Sequence, residues 1–416
     1  MTGPIAHGTI RTTVVLGLRL ASQAGTLLLL ARLLGPDQFG AFAGVAALAV
    51  MLGTLPTFGT HLVLLSEMAK EPSRRDQVMS YAIPTTLLLG SALFAAYLLI
   101  CRLALKTVNV PLPAIVAIGI TEMWLQPLFS FPVTEHLALE RTARSQLLTT
   151  LPLLLRLTAA ATVLLLHPSD PLMAYSYGYL AASVVALAFA SRTMQASWPT
   201  PNTWMLPDRA TLHQATGYAV LAITAAGPAE LDKTLATRLL SPTASGLYST
   251  GARAIGAATL PVIAMLLSAL PRLFREGRNH IQRTARLVRW IIATTLSYSL
   301  VLAFVLWIAA PMFTWLFGVE YEGIQQMIHW LCLAVPGMAL RIATGNVLMA
   351  LGKPWMRAGF EISGLIVLLF AAITLTARLG TIGMPLALAC SEWGMAVTGM
   401  VFIMRSNTWQ LTLPNK

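Results

Sequence analysis

Several ionisable side chains fall inside long apolar runs of this chain. The cations are Arg19, Arg156, Lys233, Arg253 and Arg341, and the carboxylates are Glu122, Glu230, Asp232, Glu361 and Glu392. If those runs lie in lipid, each charge costs roughly 2.5–3.5 kcal/mol at a helix centre on insertion scales, so each needs a reason. Cations in such a place suit an anionic ligand, because Arg offers phosphate a planar fork of donors and Lys a point charge. Carboxylates there suit the uptake and release of a proton or Na⁺. Trp124 and Trp330 could stack on sugar faces, although rings at such positions more often pack or anchor at the interface. Each charge also has a structural reading. Glu230 and Lys233, three apart, neutralise each other on one helix face. Asp232 pairs with Arg253 of the next helix. Arg238, near a helix end, snorkels to the interface. For Arg156, and for any single carboxylate, the structural reading is preferred.

The elements that must position these groups follow from composition. Of 416 residues, 56% are hydrophobic and 11% charged, against about 25% charged in soluble domains. Mean hydropathy is +0.71. Apolar runs long enough to span a bilayer recur from end to end, which predicts an all-α polytopic membrane protein of about twelve transmembrane helices. The first run leads directly into a second and reads as a helix, not as a cleavable leader. The net charge of +12 does not point to nucleic acid, because the Lys and Arg outside the spans gather in alternate loops. That bias places both termini in the cytoplasm. The Arg-rich stretch Arg272–Arg289 fits the same rule and the anionic inner leaflet. Cys101, Cys332 and Cys390 are isolated, with no metal-ligand spacing and no disulfide framework. No Walker A, H-E-x-x-H or G-x-S-x-G pattern occurs, which excludes P-loop ATP hydrolysis and gives no sign of an enzyme.

Breaks are expected at Gly35-Pro36-Asp37, Ser241-Pro242, Gly352-Lys353-Pro354 and Gly380. An interruption is also expected at Gly227-Pro228, inside a helix over 213–239. A second helix is expected unbroken over 39–66. The window Ala31–Phe42 echoes Thr237–Tyr248: Arg32 meets Arg238, Leu33-Leu34 meets Leu239-Leu240, Pro36 meets Pro242 and Gly40 meets Gly246. Each window sits at a helix–helix corner. The echo divides the chain into an N-terminal lobe of about six helices (1–195), a cytoplasmic linker (196–212) and a C-terminal lobe of about six (213–416). Lobes of even helix number enter from one side and are related by a pseudo-twofold axis along the membrane normal, as in transporters that bind substrate between repeats.

The run from Gly17 to Leu48 (GLRLASQAGTLLLLARLLGPDQFGAFAGVAAL) resembles the opening of bacterial polysaccharide flippases. So do Phe58-Gly59 followed by LLSEMAK, and AELDKTLATRLLSPTASGLYSTGARAIG from Ala229 to Gly256. Pro271-Arg272-Leu273-Phe274 and Trp315 to Tyr321 (WLFGVEY) follow in the same order. The chain is similar to the Wzx-type branch of the MOP (multidrug/oligosaccharidyl-lipid/polysaccharide) exporters over nearly its whole length. One departure is Ser241, where that family more often has Gly.

The resemblance implies a two-lobed MATE/MOP-like fold in the bacterial cytoplasmic membrane. It implies movement of undecaprenyl-pyrophosphate-linked oligosaccharide to the outer face, for O-antigen, capsule or exopolysaccharide. It implies no organic cofactor, with H⁺ or Na⁺ as the coupling ion. Membrane lipids, a polysaccharide polymerase and a chain-length regulator are the partners it implies. On this reading Arg19, Lys233, Arg253, Arg341, Trp124 and Trp330 bind pyrophosphate and sugar, while Asp232, Glu122, Glu392 and Glu361 serve coupling. The competing readings are a MATE-like exporter of cations, against which the intramembrane Lys and Arg speak, and a membrane polymerase, against which the short outer loops speak.

Overall fold

The computed structural model describes residues 4–104, 110–263, 265–266 and 281–405, and nearly all of what it describes is helical. In lipid that is the expected solution, since a helix satisfies its own backbone hydrogen bonds. The first helices are α1 (Pro4–Leu52), α2 (Thr60–Lys70), α3 (Arg75–Ala104), α4 (Leu112–Ile120), α5 (Gln126–Ala138), α6 (Thr142–Leu166) and α7 (Pro171–Arg192). They are followed by α8 (Arg209–Leu239), α9 (Pro242–Ala258), α10 (Ile281–Phe317), α11 (Ile324–Leu331), α12 (Val335–Ala350), α13 (Pro354–Leu379) and α14 (Gly383–Met404). The chain forms two compact units, Met1–Ala226 and Gly227–Lys416, so α8 gives its first half to one and its second half to the other.

Among the described residues, eight segments are long and apolar enough to cross a membrane. Two of them contain a bend. Gly17–Leu52 breaks at Gly35, whose φ of 65° lies in the region open to glycine, just ahead of Pro36. Pro354–Met404 turns at Gly380–Ile382. Neither α8 nor α9 is among the eight, although both were expected to span. α8 carries Glu230, Asp232, Lys233 and Arg238 in its second half, and α9 has only 17 residues.

Two local expectations change. The helix expected over 39–66 stops at Leu52 and resumes at Thr60. Gly53, Pro56 and Gly59 crowd that stretch, and Phe58 and Gly59 both take positive φ, 46° and 75°. Conversely, α8 runs straight through Gly227-Pro228. A Cβ at Gly227 would meet Leu365 Cδ1 at 2.9 Å, so this glycine serves close packing on α13. The corner echo is visible: Pro242 opens α9 as Pro36 reopens α1 after its kink. Ser241, in place of Gly, accepts a hydrogen bond from the Ala244 amide at 3.4 Å and caps α9.

The segment between α7 and α8 is tied to the first unit. Arg75 donates through Nη2 to Ala196 O at 2.8 Å and through Nε to Glu135 at 2.7 Å. The Gln195 amide donates to the same carboxylate at 2.6 Å, and the Met205 amide to Ser80 O at 3.1 Å. Nearby, bonds from Lys70 and Arg74, each 2.7 Å, hold the Glu67 carboxyl below the usual carboxylate range. Of the Arg-rich stretch, Arg272, Arg275 and Arg278 lie outside the described residues, while Arg286 and Arg289 are exposed on α10.

Between α4 and α5 the helix widens into a π turn, Thr121–Leu125. Such turns are rare and frequent at functional sites. Two glycines let neighbouring backbone press on it. A Cβ at Gly53 would lie 2.6 Å from Glu122 O, and one at Gly90 2.6 Å from Met123 O and 2.7 Å from the Trp124 ring. Gly90→Val should displace the turn and destabilise the unit by roughly 1–3 kcal/mol, the usual cost of overpacking. Thermal unfolding in detergent reads this out, with Gly256→Ala, which meets nothing within 4 Å inside α9, as the control expected to be unchanged or slightly more stable.

Candidate functional site

The second unit gathers most of the ionisable groups that the sequence places in apolar runs. Arg341 on α12 donates through Nε to Glu392 of α14 at 2.6 Å, and its Nη1 lies 3.9 Å from Glu361 of α13. Arg357, one turn before Glu361, donates to the same oxygen at 3.1 Å. Arg341, Glu361 and Glu392 are all buried. Gly337 makes this approach feasible, since a Cβ there would lie 2.9 Å from Trp393 N and 3.0 Å from Glu392 C. The second oxygens, Glu361 Oε2 and Glu392 Oε1, are buried without a hydrogen-bond partner among the described residues.

Asp232 and Lys233 lie in the second half of α8. Lys233 Nζ is 3.1 Å from Asp232 Oδ1 and 3.9 Å from Glu230, so the sequence reading of a local Glu230–Lys233 pair is met. The other Asp232 oxygen accepts from Tyr248 of α9 at 2.8 Å. The Asp232–Arg253 pair entertained from the sequence is not formed; Tyr248 and Lys233 take that place.

The first unit holds a smaller cluster around the π turn. Glu122 accepts from Tyr179 of α7 and from Arg156 of α6, the latter at 3.4 Å. The Arg156 guanidinium lies 3.9 Å over the Tyr179 ring, a cation–π arrangement, and also reaches Ser183 at 3.4 Å. The structural reading of Arg156 is thus the one the geometry shows.

Pairing sorts the cations. Lys233 and Arg341, both expected to face pyrophosphate, are held by carboxylates. Arg19, half-buried on α1, and Arg253, half-buried on α9, form no ion pair among the described residues. Arg253 Nε is buried without a partner there. Trp124 packs on Phe94, with centroids 4.9 Å apart, and Trp330 lines an apolar groove. The sequence missed Tyr179, Tyr248 and Arg357 as cluster members. Only Arg357 left a signal, its i,i+4 spacing to Glu361.

These observations define the class, a multi-pass helical membrane protein whose units bury charge. The fold is similar to that of a multidrug resistance MATE family transporter of the MOP superfamily solved in an inward-facing conformation. The TM-score is 0.79 at 13% identity, covering 94% of this chain and 96% of that one. It is also similar to the lipid II flippase MurJ in an inward closed conformation, with TM-score 0.75, 11% identity and coverage of 95% and 87%. A MOP superfamily transporter from Pyrococcus furiosus matches with TM-score 0.67, 14% identity and 96% coverage of both chains. Identities this low speak for the fold. The chain belongs to the polysaccharide biosynthesis protein family, whose model matches residues 5–276. No curated protein matches the sequence significantly.

The buried pair yields a stability test. Arg341→Met leaves Glu392 buried without its cation and Glu361 with Arg357 alone, and should cost about 3–5 kcal/mol. Arg341→Met combined with Glu392→Leu should recover much of that loss, because the apolar replacement leaves less charge uncompensated. Thermal unfolding of the purified variants checks both; a single variant as stable as the wild type would show that the pair does not hold the unit together.

Proposed function

We propose that the protein is a flippase. It carries undecaprenyl-pyrophosphate-linked oligosaccharide from the inner to the outer face of the bacterial cytoplasmic membrane, for surface or exported polysaccharide. Family membership supports a role in polysaccharide biosynthesis, and the fold supports transport without a covalent step. One observation carries the reading further. Arg19 and Arg253 form no ion pair among the described residues, while Arg156, Lys233 and Arg341 each have a carboxylate. An uncompensated guanidinium in an apolar surrounding is a receptor for an anion, and pyrophosphate matches its fork of donors. A carrier of cationic drugs has no use for it. One structural neighbour is itself described as having a binding pocket of reverse polarity that suggests a different function, so within this fold charge sign is a guide to substrate.

Coupling to H⁺ or Na⁺ falls to the buried carboxylates Asp232, Glu361 and Glu392, with Glu122 in the first unit. The unpartnered oxygens of Glu361 and Glu392 are where a cation would bind. Both termini face the cytoplasm in this proposal, and the product is handed on the outer face to a polymerase and a chain-length regulator.

Arg19→Ala and Arg253→Ala should each weaken binding of the lipid-linked substrate roughly tenfold to a hundredfold, the loss of a charge-assisted hydrogen bond worth about 1.5–3 kcal/mol. Lipid-linked intermediate should accumulate on the inner face while the protein stays in the membrane. Normal export by both variants would refute the anion-binding role.

A further inference from the structure

The second unit has an open groove lined by apolar side chains. Its volume is about 800 Å³, within the ~300–1,000 Å³ of small-molecule sites. Leu300, Phe304 and Trp307 of α10, Trp330 of α11, Leu333 of the turn that follows α11, and Trp393 of α14 form its walls. The wall on α10 faces outward: that segment has a mean hydropathy of 2.2 and only 11% of its most apolar stretch is buried. In a membrane such a face meets hydrocarbon.

Two of the polar groups along the groove are already engaged. Trp393 Nε1 donates to Leu333 O at 2.9 Å, a carbonyl within the 3₁₀ turn Cys332–Ala334. His329 Nε2 bonds Trp307 O at 3.1 Å, and the two rings stack with centroids 4.8 Å apart. The rest of the lining is mostly hydrocarbon and ring faces, a wall that suits an apolar chain better than a sugar.

The groove is also joined to the charge cluster. Glu392 is buried at 1% exposure and Trp393, the next residue, is 37% exposed. Successive residues point about 100° apart on a helix. The α12–α14 pair therefore carries the Arg341–Glu392 bond on one side and the groove on another. A straight acyl chain packs on any flat apolar helix face and needs no seat. A methyl-branched, unsaturated chain fills a wide hollow lined by rings.

We infer that this groove seats the polyisoprenoid tail of the lipid-linked substrate while its headgroup crosses. This rests on the flippase reading above. The tail stays in lipid, held against α10, α11 and α14, and only the polar part has to pass through protein.

The test uses the full-length protein in phosphatidylethanolamine/phosphatidylglycerol nanodiscs with a diazirine-bearing polyprenyl phosphate. After irradiation, adducts should concentrate on the peptides holding Phe304–Trp307 and Cys390–Trp393. Excess undecaprenyl phosphate should lower them about tenfold, and an equal excess of phosphatidylglycerol should not. Ala303→Phe, which fills the groove from its half-buried rim, should abolish the focused adducts with little change in unfolding temperature; Phe304→Gln, at an exposed position, should weaken them by placing an amide in the wall. Equal competition by phospholipid, or adducts spread evenly over the apolar surface, would overturn the inference. The two proposals fail separately. Focused adducts beside export that is unchanged when the protein is deleted would sink the flippase reading, and deletion-dependent export with no focused adducts would sink the groove alone.

Discussion

A charge among apolar side chains must meet an opposite charge, and the second unit is arranged around that requirement. Arg341 cannot be left alone on α12, so α13 and α14 bring Glu361 and Glu392 to it. Gly337 is small because the Glu392–Trp393 backbone has to come within van der Waals reach. Removing one member of such a pair costs far more than its net worth, since the remaining charge stays buried. The first unit solves the same problem differently. Glu122 is presented by a π turn, Arg156 comes from α6, and the Tyr179 ring and hydroxyl complete the set.

How much of this was legible in the sequence depended on the kind of signal. Length and hydropathy gave the all-helical membrane class, because runs such as Ala285–Phe317 have no other stable state in lipid. Turn chemistry located the corners at Gly35-Pro36, Ser241-Pro242 and Gly380. It misled at Gly227-Pro228, where the same two residues serve packing, and it understated Gly53–Gly59, where several weak breakers act together. The charged residues were easy to list, because a charge in an apolar run stands out. Their partners were not. Asp232 has Lys233 beside it and Tyr248 on the next helix, while Arg253 was an equally good sequence candidate. Side-chain direction on two packed helices chose between them, and no spacing rule carries that information. Tyr179 was invisible for a related reason, since a tyrosine in an apolar run reads as core, and Tyr248 stood out only as part of the corner echo, not as a partner of Asp232.

Sorting the cations by pairing does more for function than the fold does. The fold is similar to that of a drug transporter and of a lipid flippase alike, so architecture by itself does not choose between a positive and a negative cargo. A cation already bonded to a carboxylate presents little net charge to a ligand. A cation without one presents its full charge, at a desolvation cost that folding alone gives no reason to retain. Arg156, Lys233 and Arg341 belong to the first kind, and Arg19 and Arg253 to the second. Among the described residues, Glu361 Oε2 and Glu392 Oε1 of the second unit likewise lack a hydrogen-bond partner. Pairing, and not position in an apolar run, is therefore what separates a charge held by packing from one left open.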